Sequence, residues 1–377
     1  MSSPLYITMQ NDYLIMLLVL VSLASICLGC RRSSTTVSGS KAPKGRICKN
    51  QLIFEDNFNQ LDRSVWNHEN SVAGGGNWEF QWYSGSDRNS YAKDGKLFIR
   101  PTLTADEFGE DFLTSGSINL NQGSPSERCT DDPGFAQTFY GCERSGSYDR
   151  ILNPIRSARL RTKDTFAFKY GKLEIRAKLP AGDWLWPAMW MFPQQDSYGV
   201  WPKSGEIDLV ESRGNRELYQ DGKHIGVKWL SSCLHFGESW NQKSEQCGTH
   251  TQGGLATQFN NYEMTWTKDV IQFGINGVVY RTVTPYEGFG KLGGFGYNPW
   301  PQGSKMAPFD KEFFLVVNVA VGGNFFPDNV RNPHRKPWSQ GAPSAMTDFY
   351  KAKSDWLSTW NGDDAALQVD YVKVWAV

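Results

Sequence analysis

Trp201-Pro202-Lys203-Ser204-Gly205-Glu206-Ile207-Asp208-Leu209-Val210-Glu211-Ser212-Arg213 sets three carboxylates into an otherwise apolar, alternating run. In a regular strand side chains alternate between faces, so Glu206 and Asp208 share one side while Glu211, five positions after Glu206, points to the other. One extra residue restores the phase. A β-bulge sets two residues against one and brings Glu206, Asp208 and Glu211 onto a common face. Ile207, Leu209 and Val210 mark the opposite face as buried. Like charges held together raise one another's pKa, so such a row keeps one carboxyl protonated while another is ionised. The bland alternative is a solvated strand face, but outward acids in such a row are usually interrupted by Lys or Thr.

From residue 51 onward the dominant period is two. Over 172–179, Leu173, Ile175, Ala177 and Leu179 fall on one side and Lys172, Glu174, Arg176 and Lys178 on the other, which predicts a half-exposed antiparallel strand. Asn276-Gly277 lies between two apolar runs and predicts a hairpin, because both turn residues accept positive φ. Residues 313–321 are apolar on both faces except at Asn318, as in a central strand, and 367–377 reads as the last strand. Only 346–360 has helical spacing, with Met346, Phe349, Lys353, Trp356 and Trp360 on one stripe and Asn361-Gly362 to stop it. The expected fold is all-β: an antiparallel two-sheet β-sandwich of jelly-roll type, with one short helix near the C-terminus.

The chain has 377 residues and balances 39 basic against 39 acidic side chains, which gives no electrostatic reason to expect nucleic acid. Aromatic content is 14%, with fifteen Trp; an all-β core or a carbohydrate-binding surface uses such residues, since sugar rings present C–H faces that stack on indoles. Residues 14–28 form an uncharged apolar run, short for a bilayer and the right size for a signal-peptide core, so 1–30 is read as a leader. A retained anchor is the alternative, because Asp12 and no basic residue precedes the run while Arg31 and Arg32 follow it. Residues 31–47 are too polar to pack and read as a linker, which leaves 48–377 as the domain. Of seven cysteines, Cys27 and Cys30 fall in the leader region; the close pairs Cys129 with Cys142 and Cys233 with Cys247 can each staple a surface loop in an oxidising compartment, which leaves Cys48 odd. Free buried thiols in a cytosolic protein are the other reading. Cys-x-x-Cys occurs only as Cys27-Leu28-Gly29-Cys30, in the leader region, and no His-Glu-x-x-His is present, so no metal site is expected.

The run from Gly205 to Glu211 resembles the E-x-D-x-x-E signature of glycoside hydrolase family 16, in the laminarinase branch that carries the bulge. Gly74-Gly75-Gly76-Asn77-Trp78-Glu79, Tyr170-Gly171-Lys172-Leu173-Glu174-Ile175-Arg176-Ala177-Lys178-Leu179-Pro180, Trp186-Pro187-Ala188-Met189-Trp190 and Asn318-Val319-Ala320-Val321-Gly322-Gly323-Asn324 agree with it, in order, over nearly all of the chain after its leader. The likeness is to the animal members, a group that holds both β-1,3-glucanases and β-1,3-glucan-binding proteins of innate immunity. It implies a concave substrate cleft with Glu206 as nucleophile, Glu211 as acid/base and Asp208 as assisting carboxylate. A retaining mechanism of that kind holds its two working carboxyls about 5 to 5.5 Å apart. The resemblance further implies that Trp186, Trp190 and Trp201 line the cleft and that Asn77, Glu79, His235 and Asn324 border its subsites, with a satisfied structural histidine as the other reading of His235. Arg159 either hydrogen-bonds sugar hydroxyls or pairs with an acid. Many members hold a structural calcium; here Asp370 is available, but Asn57 stands where a Glu is usual, and no cofactor is expected to be required. The expected protein is a secreted, monomeric endo-β-1,3-glucanase, free of the membrane once its leader is removed. The alternative is a recognition protein for β-1,3-glucan or lipopolysaccharide, and a transglycosylase would differ only in acceptor access.

Overall fold

The computed structural model describes residues 30–124 and 127–377, so the apolar run 14–28 lies outside the described residues. Two antiparallel sheets pack face to face. The inner sheet is nine-stranded and runs, edge to edge, through Thr36–Ser38, Ala167–Lys169, Phe313–Val321, Leu185–Pro193, Glu206–Ser212, Trp229–Ser239 and Gln242–Thr251; Arg159–Arg161 also pairs with Phe313–Val321 and carries Asn67–His68. The outer sheet is eight-stranded, with Gly171–Lys178 and Leu367–Trp375 at its centre and Ile271–Ile275 and Val278–Val283 toward one edge. Gly171–Lys178 buries every second residue, as its alternation requires when one face meets the core and the other meets water. Phe313–Val321 is buried throughout, being central in its sheet. The Asn276-Gly277 turn has φ of 50° and 82°, which places both residues in the left-handed region that a tight hairpin demands.

Residues 31–47 are docked on the domain, not strung out as a linker. Thr36–Ser38 pairs antiparallel with Ala167–Lys169 at the edge of the inner sheet, Ser34 N–H donates to the Val377 carbonyl at 3.2 Å, and Thr35 is buried. Cys30 bonds to Cys48, so neither cysteine is odd and Cys30 belongs to the folded domain. Backbone donors and acceptors at a sheet edge can fix a polar segment without any apolar side chain, which is why composition misjudged it.

Residues 346–360 do not form one helix. Ala345–Lys351 and Lys353–Trp356 are separate short helices followed by a 3₁₀ turn at Leu357–Thr359. The Trp356 indole N–H takes the Phe349 carbonyl at 2.9 Å, an acceptor that a continuous helix would give to the backbone of residue 353. Three further short helices, Ala105–Phe108, Glu110–Ser115 and Pro133–Phe139, lie in the segment closed by the Cys129–Cys142 disulfide and the strands around it. Among the described residues no helix is long and apolar enough to cross a membrane.

In a chain that retains Cys30, replacing Cys30 and Cys48 by Ala opens a loop with a sequence separation of 18. Unfolding free energy should fall by about 3 kcal/mol, read as an earlier denaturant midpoint with unchanged slope. An unchanged midpoint would mean that the edge pairing alone holds the segment.

Candidate active site

The strand Glu206–Ser212 carries the bulge that its spacing predicts. Asp208 faces Cys233 and Glu211 faces Ser231, so three steps on one strand meet two on its neighbour. The other neighbour shows the same offset, with Trp190 opposite Asp208 and Ala188 opposite Glu211. Leu209 and Val210 both enter the core, 1% and 0% exposed, and Glu211 thereby returns to the face of Glu206 and Asp208. Gly205 leads into the strand with φ of 84°; a Cβ there would lie 2.9 Å from the Phe309 ring, so only glycine lets the preceding loop turn in.

Indole donors hold the outer carboxylates. Trp201 donates to Glu206 Oε2 at 2.6 Å and Trp186 to Glu211 Oε1 at 3.2 Å. His235 Nε2 lies 3.0 Å from Asp208 Oδ2, and its Nδ1 lies 3.5 Å from Glu245 Oε2. A carboxylate oxygen of Asp208 and one of Glu211 lie within 4.8 Å of each other. Burial, and beyond it the neighbouring Glu206 and Glu211 charges, pushes the Asp208 carboxyl well above the usual range against the pull of His235. Burial raises Glu211 to about 7, helped by Glu206 and opposed by His235 and Arg213. Burial alone would lower His235, but Asp208, then Glu206 and Glu211, overcome it and raise the imidazole to about 10. The row therefore contains a carboxylic acid that still carries its proton near neutrality, beside a second carboxyl on the same face. That pairing suits proton donation to a leaving oxygen together with nucleophilic attack.

The aromatic residues near the acid row divide between two faces. Trp186 stacks on Phe325, centroids 4.1 Å apart at 7°, on the acid face, while Trp184, with φ of 68°, turns instead into the core against Phe326 and Trp338. Trp190 donates to Asn318 Oδ1 at 2.7 Å, and Asn318 donates in turn to the Tyr83 hydroxyl at 3.1 Å. Arg159 pairs with Glu69 at 3.0 Å, reaches Glu79 at 3.8 Å and stacks over Tyr83, so its acid-pairing reading fits. Glu79 is buried below the cleft surface and accepts from Gln81 at 2.6 Å. Asn77 and Asn324 meet at the rim, the Asn324 N–H donating to the Asn77 carbonyl at 2.8 Å. Cys129 and Cys142 are bonded as expected; Cys233 and Cys247 are also bonded, but across adjacent strands in the row of Asp208 and not around a surface loop.

Sequence reasoning missed Phe325, Glu245 and Trp240, a ring 58% exposed and 5.0 Å from Trp201. The lone Asn318 in an apolar strand was the signal for the polar link it makes. Asp370, the carboxylate available to a calcium ion, is paired with Arg176.

His235 should remain an imidazolium through neutral pH. Its folded-state pKa lies above the unfolded value of about 6.5, so its contribution to stability is complete below that pH and is lost as pH rises through about 10. An NMR titration of the imidazole should show its midpoint near 10 in the native protein and a lower one in Asp208→Asn; a native midpoint near 6.5 would contradict the ion pair.

Comparison with known proteins agrees with this geometry. Residues 143–307 match the family model described as glycosyl hydrolases family 16. The chain is 46% identical over 340 residues to a β-1,3-glucan-binding protein of Penaeus monodon, covering 86% of this chain and 90% of that one. It is 36% identical to β-1,3-glucan-binding protein 1 of Manduca sexta, over 88% of this chain and 66% of that one. The laminarinase from Rhodothermus marinus shares the fold, with a TM-score of 0.54 at 23% identity over 87% of this chain and 98% of that one. With two antiparallel sheets, a bulged acidic strand and relatives of this identity and coverage, the chain belongs to glycosyl hydrolase family 16.

Proposed function

We propose that the protein binds β-1,3-glucan along the concave sheet and hydrolyses it internally by a retaining double displacement. The observation that carries this reading is the acid row itself: Glu206, Asp208 and Glu211 on one face, with Glu211 raised to about 7. In the first step Glu206 attacks the anomeric carbon while Glu211 gives its proton to the departing glycosidic oxygen. In the second, Glu211 takes a proton from water, whose oxygen bonds to the anomeric carbon and displaces Glu206. Asp208, paired with His235, shares the face of the two glutamates between them in the strand. Three disulfides among the described cysteines support export to an oxidising compartment, where the chain would act as a monomer.

A second reading is recognition without cleavage, with β-1,3-glucan or lipopolysaccharide as the bound class. It is favoured by the names of the relatives, which are glucan-binding proteins in Penaeus monodon and Manduca sexta. The two readings share the cleft and differ in turnover.

Incubation with laminarin decides between them. Release of reducing ends with retention of anomeric configuration supports hydrolysis; binding without release by the native protein supports recognition alone. Glu211→Gln should lower kcat/KM about 10²–10⁴-fold on substrates whose leaving group needs a proton. Glu206→Gln should abolish turnover and leave affinity for the glucan largely intact. Because Glu211 must be protonated to act as the acid, activity should fall as pH rises through about 7. A flat profile from pH 6 to 9 would remove Glu211 from that role.

A further inference from the structure

A half-exposed tryptophan stands at the rim in a costly backbone conformation. Trp78 has φ of 57° and is 50% exposed, and bulky residues avoid that region unless the surroundings impose it. Its indole leans edge-on against Phe139 with centroids 5.6 Å apart, and Phe139 lies 4.7 Å from Phe135. Phe135 and Phe139 belong to the helix Pro133–Phe139, which is capped by Asp132 and tied back by the Cys129–Cys142 disulfide. The helix sits over the glycine loop: a Cβ on Gly76 would meet the Phe135 ring at 3.6 Å.

These rings are continuous with the acid row. Glu211 holds Trp186, Trp186 stacks on Phe325, the adjacent Asn324 is bonded to Asn77, and Trp78 follows Asn77. The approach of the two loops is close, since a Cβ on Gly323 would lie 2.7 Å from the Asn77 carbonyl oxygen. Asp132 caps the helix, Asp131 accepts from Ser71 and Arg144 donates to the Phe139 carbonyl, so the rings stand beside groups of both signs that are already engaged, which suits a neutral saccharide. An exposed apolar face of this kind is what pyranose C–H groups stack against.

We propose that Trp78, backed by Phe139 and Phe135, forms an outer platform that binds the glucan chain beyond the sugars seated at the acid row, so that the protein distinguishes polymer from short oligosaccharide. The proposal rests on the glucan-binding reading of the cleft and not on cleavage.

The test measures affinity in a Glu206→Gln background for two probes, polymeric laminarin and laminaritriose. Trp78→Ala should weaken polymer binding about tenfold while trisaccharide binding stays within about twofold, and Trp78→Phe, which keeps a ring, should retain most of the polymer affinity. Phe139→Ala should act in the same direction through loss of the backing ring. Unchanged polymer affinity in Trp78→Ala overturns the platform, as does an equal loss on both probes, which would place Trp78 in the central site or in the fold. Laminarin hydrolysis by the native protein, measured in parallel, reads the cleavage proposal separately; a Glu206→Gln protein that binds no laminarin overturns the platform together with the glucan-binding reading.

Discussion

One inserted residue in the strand Glu206–Ser212 is the constraint on which the site depends. Without it Glu211 would point into the core, where an unpaired carboxylate is far costlier than any bulge. With it, Leu209 and Val210 are buried together on the core side, and each contributes the roughly 1.5–3 kcal/mol expected of a fully buried aliphatic side chain. The ladder bonds lost at the bulge are offset by that extra apolar contact, so the kink is held by the sandwich core and not by the acids it displays.

The acids work against the fold, and their neighbours contain the conflict. Trp201 and Trp186 satisfy one oxygen each on Glu206 and Glu211, and the cationic His235 lies against the most deeply buried carboxyl, Asp208. These partners come from both strands flanking the acidic one and from the loop before it. The inner sheet places them by register: Glu206 faces His235, which faces Glu245, and Asp208 faces Cys233, which faces Cys247. The cross-strand disulfide locks the strand that carries His235 to its outer neighbour, which carries Glu245.

Much of this was legible in the order of residues. Period-two alternation predicts Gly171–Lys178, Asn-Gly predicts the hairpin, and the spacing of Glu206, Asp208 and Glu211 predicts the bulge, because each is a local geometric property of the chain. The misreadings concern partners distant in sequence. Composition cannot show that the backbone of residues 36–38 finds the open edge at Ala167–Lys169, nor that Cys30 reaches Cys48. Of the two readings of Arg159, pairing with an acid is the one the structure shows, and its partner Glu69 lies 90 residues away in sequence.

The cost of the acid row bears on what it is for. Raising Glu211 from 4.5 to about 7 corresponds, at about 1.4 kcal/mol per unit, to roughly 3 kcal/mol of lost stability once the solution is more alkaline than the folded-state pKa. The sign follows from the shift: the folded state holds the proton more tightly than the unfolded chain, so the penalty is absent in acid and complete in alkali. A single Glu-to-Gln change would relieve it while leaving the indoles, the bulge and the cleft in place. A surface that only binds a neutral saccharide gains nothing from a buried group whose proton is so nearly removable at neutrality, whereas an acid that must first give up a proton and then recover one needs a pKa near the working pH. The names of the relatives lean toward the recognition reading, and the electrostatic penalty leans toward the proposed bond cleavage; the two readings draw on one cleft.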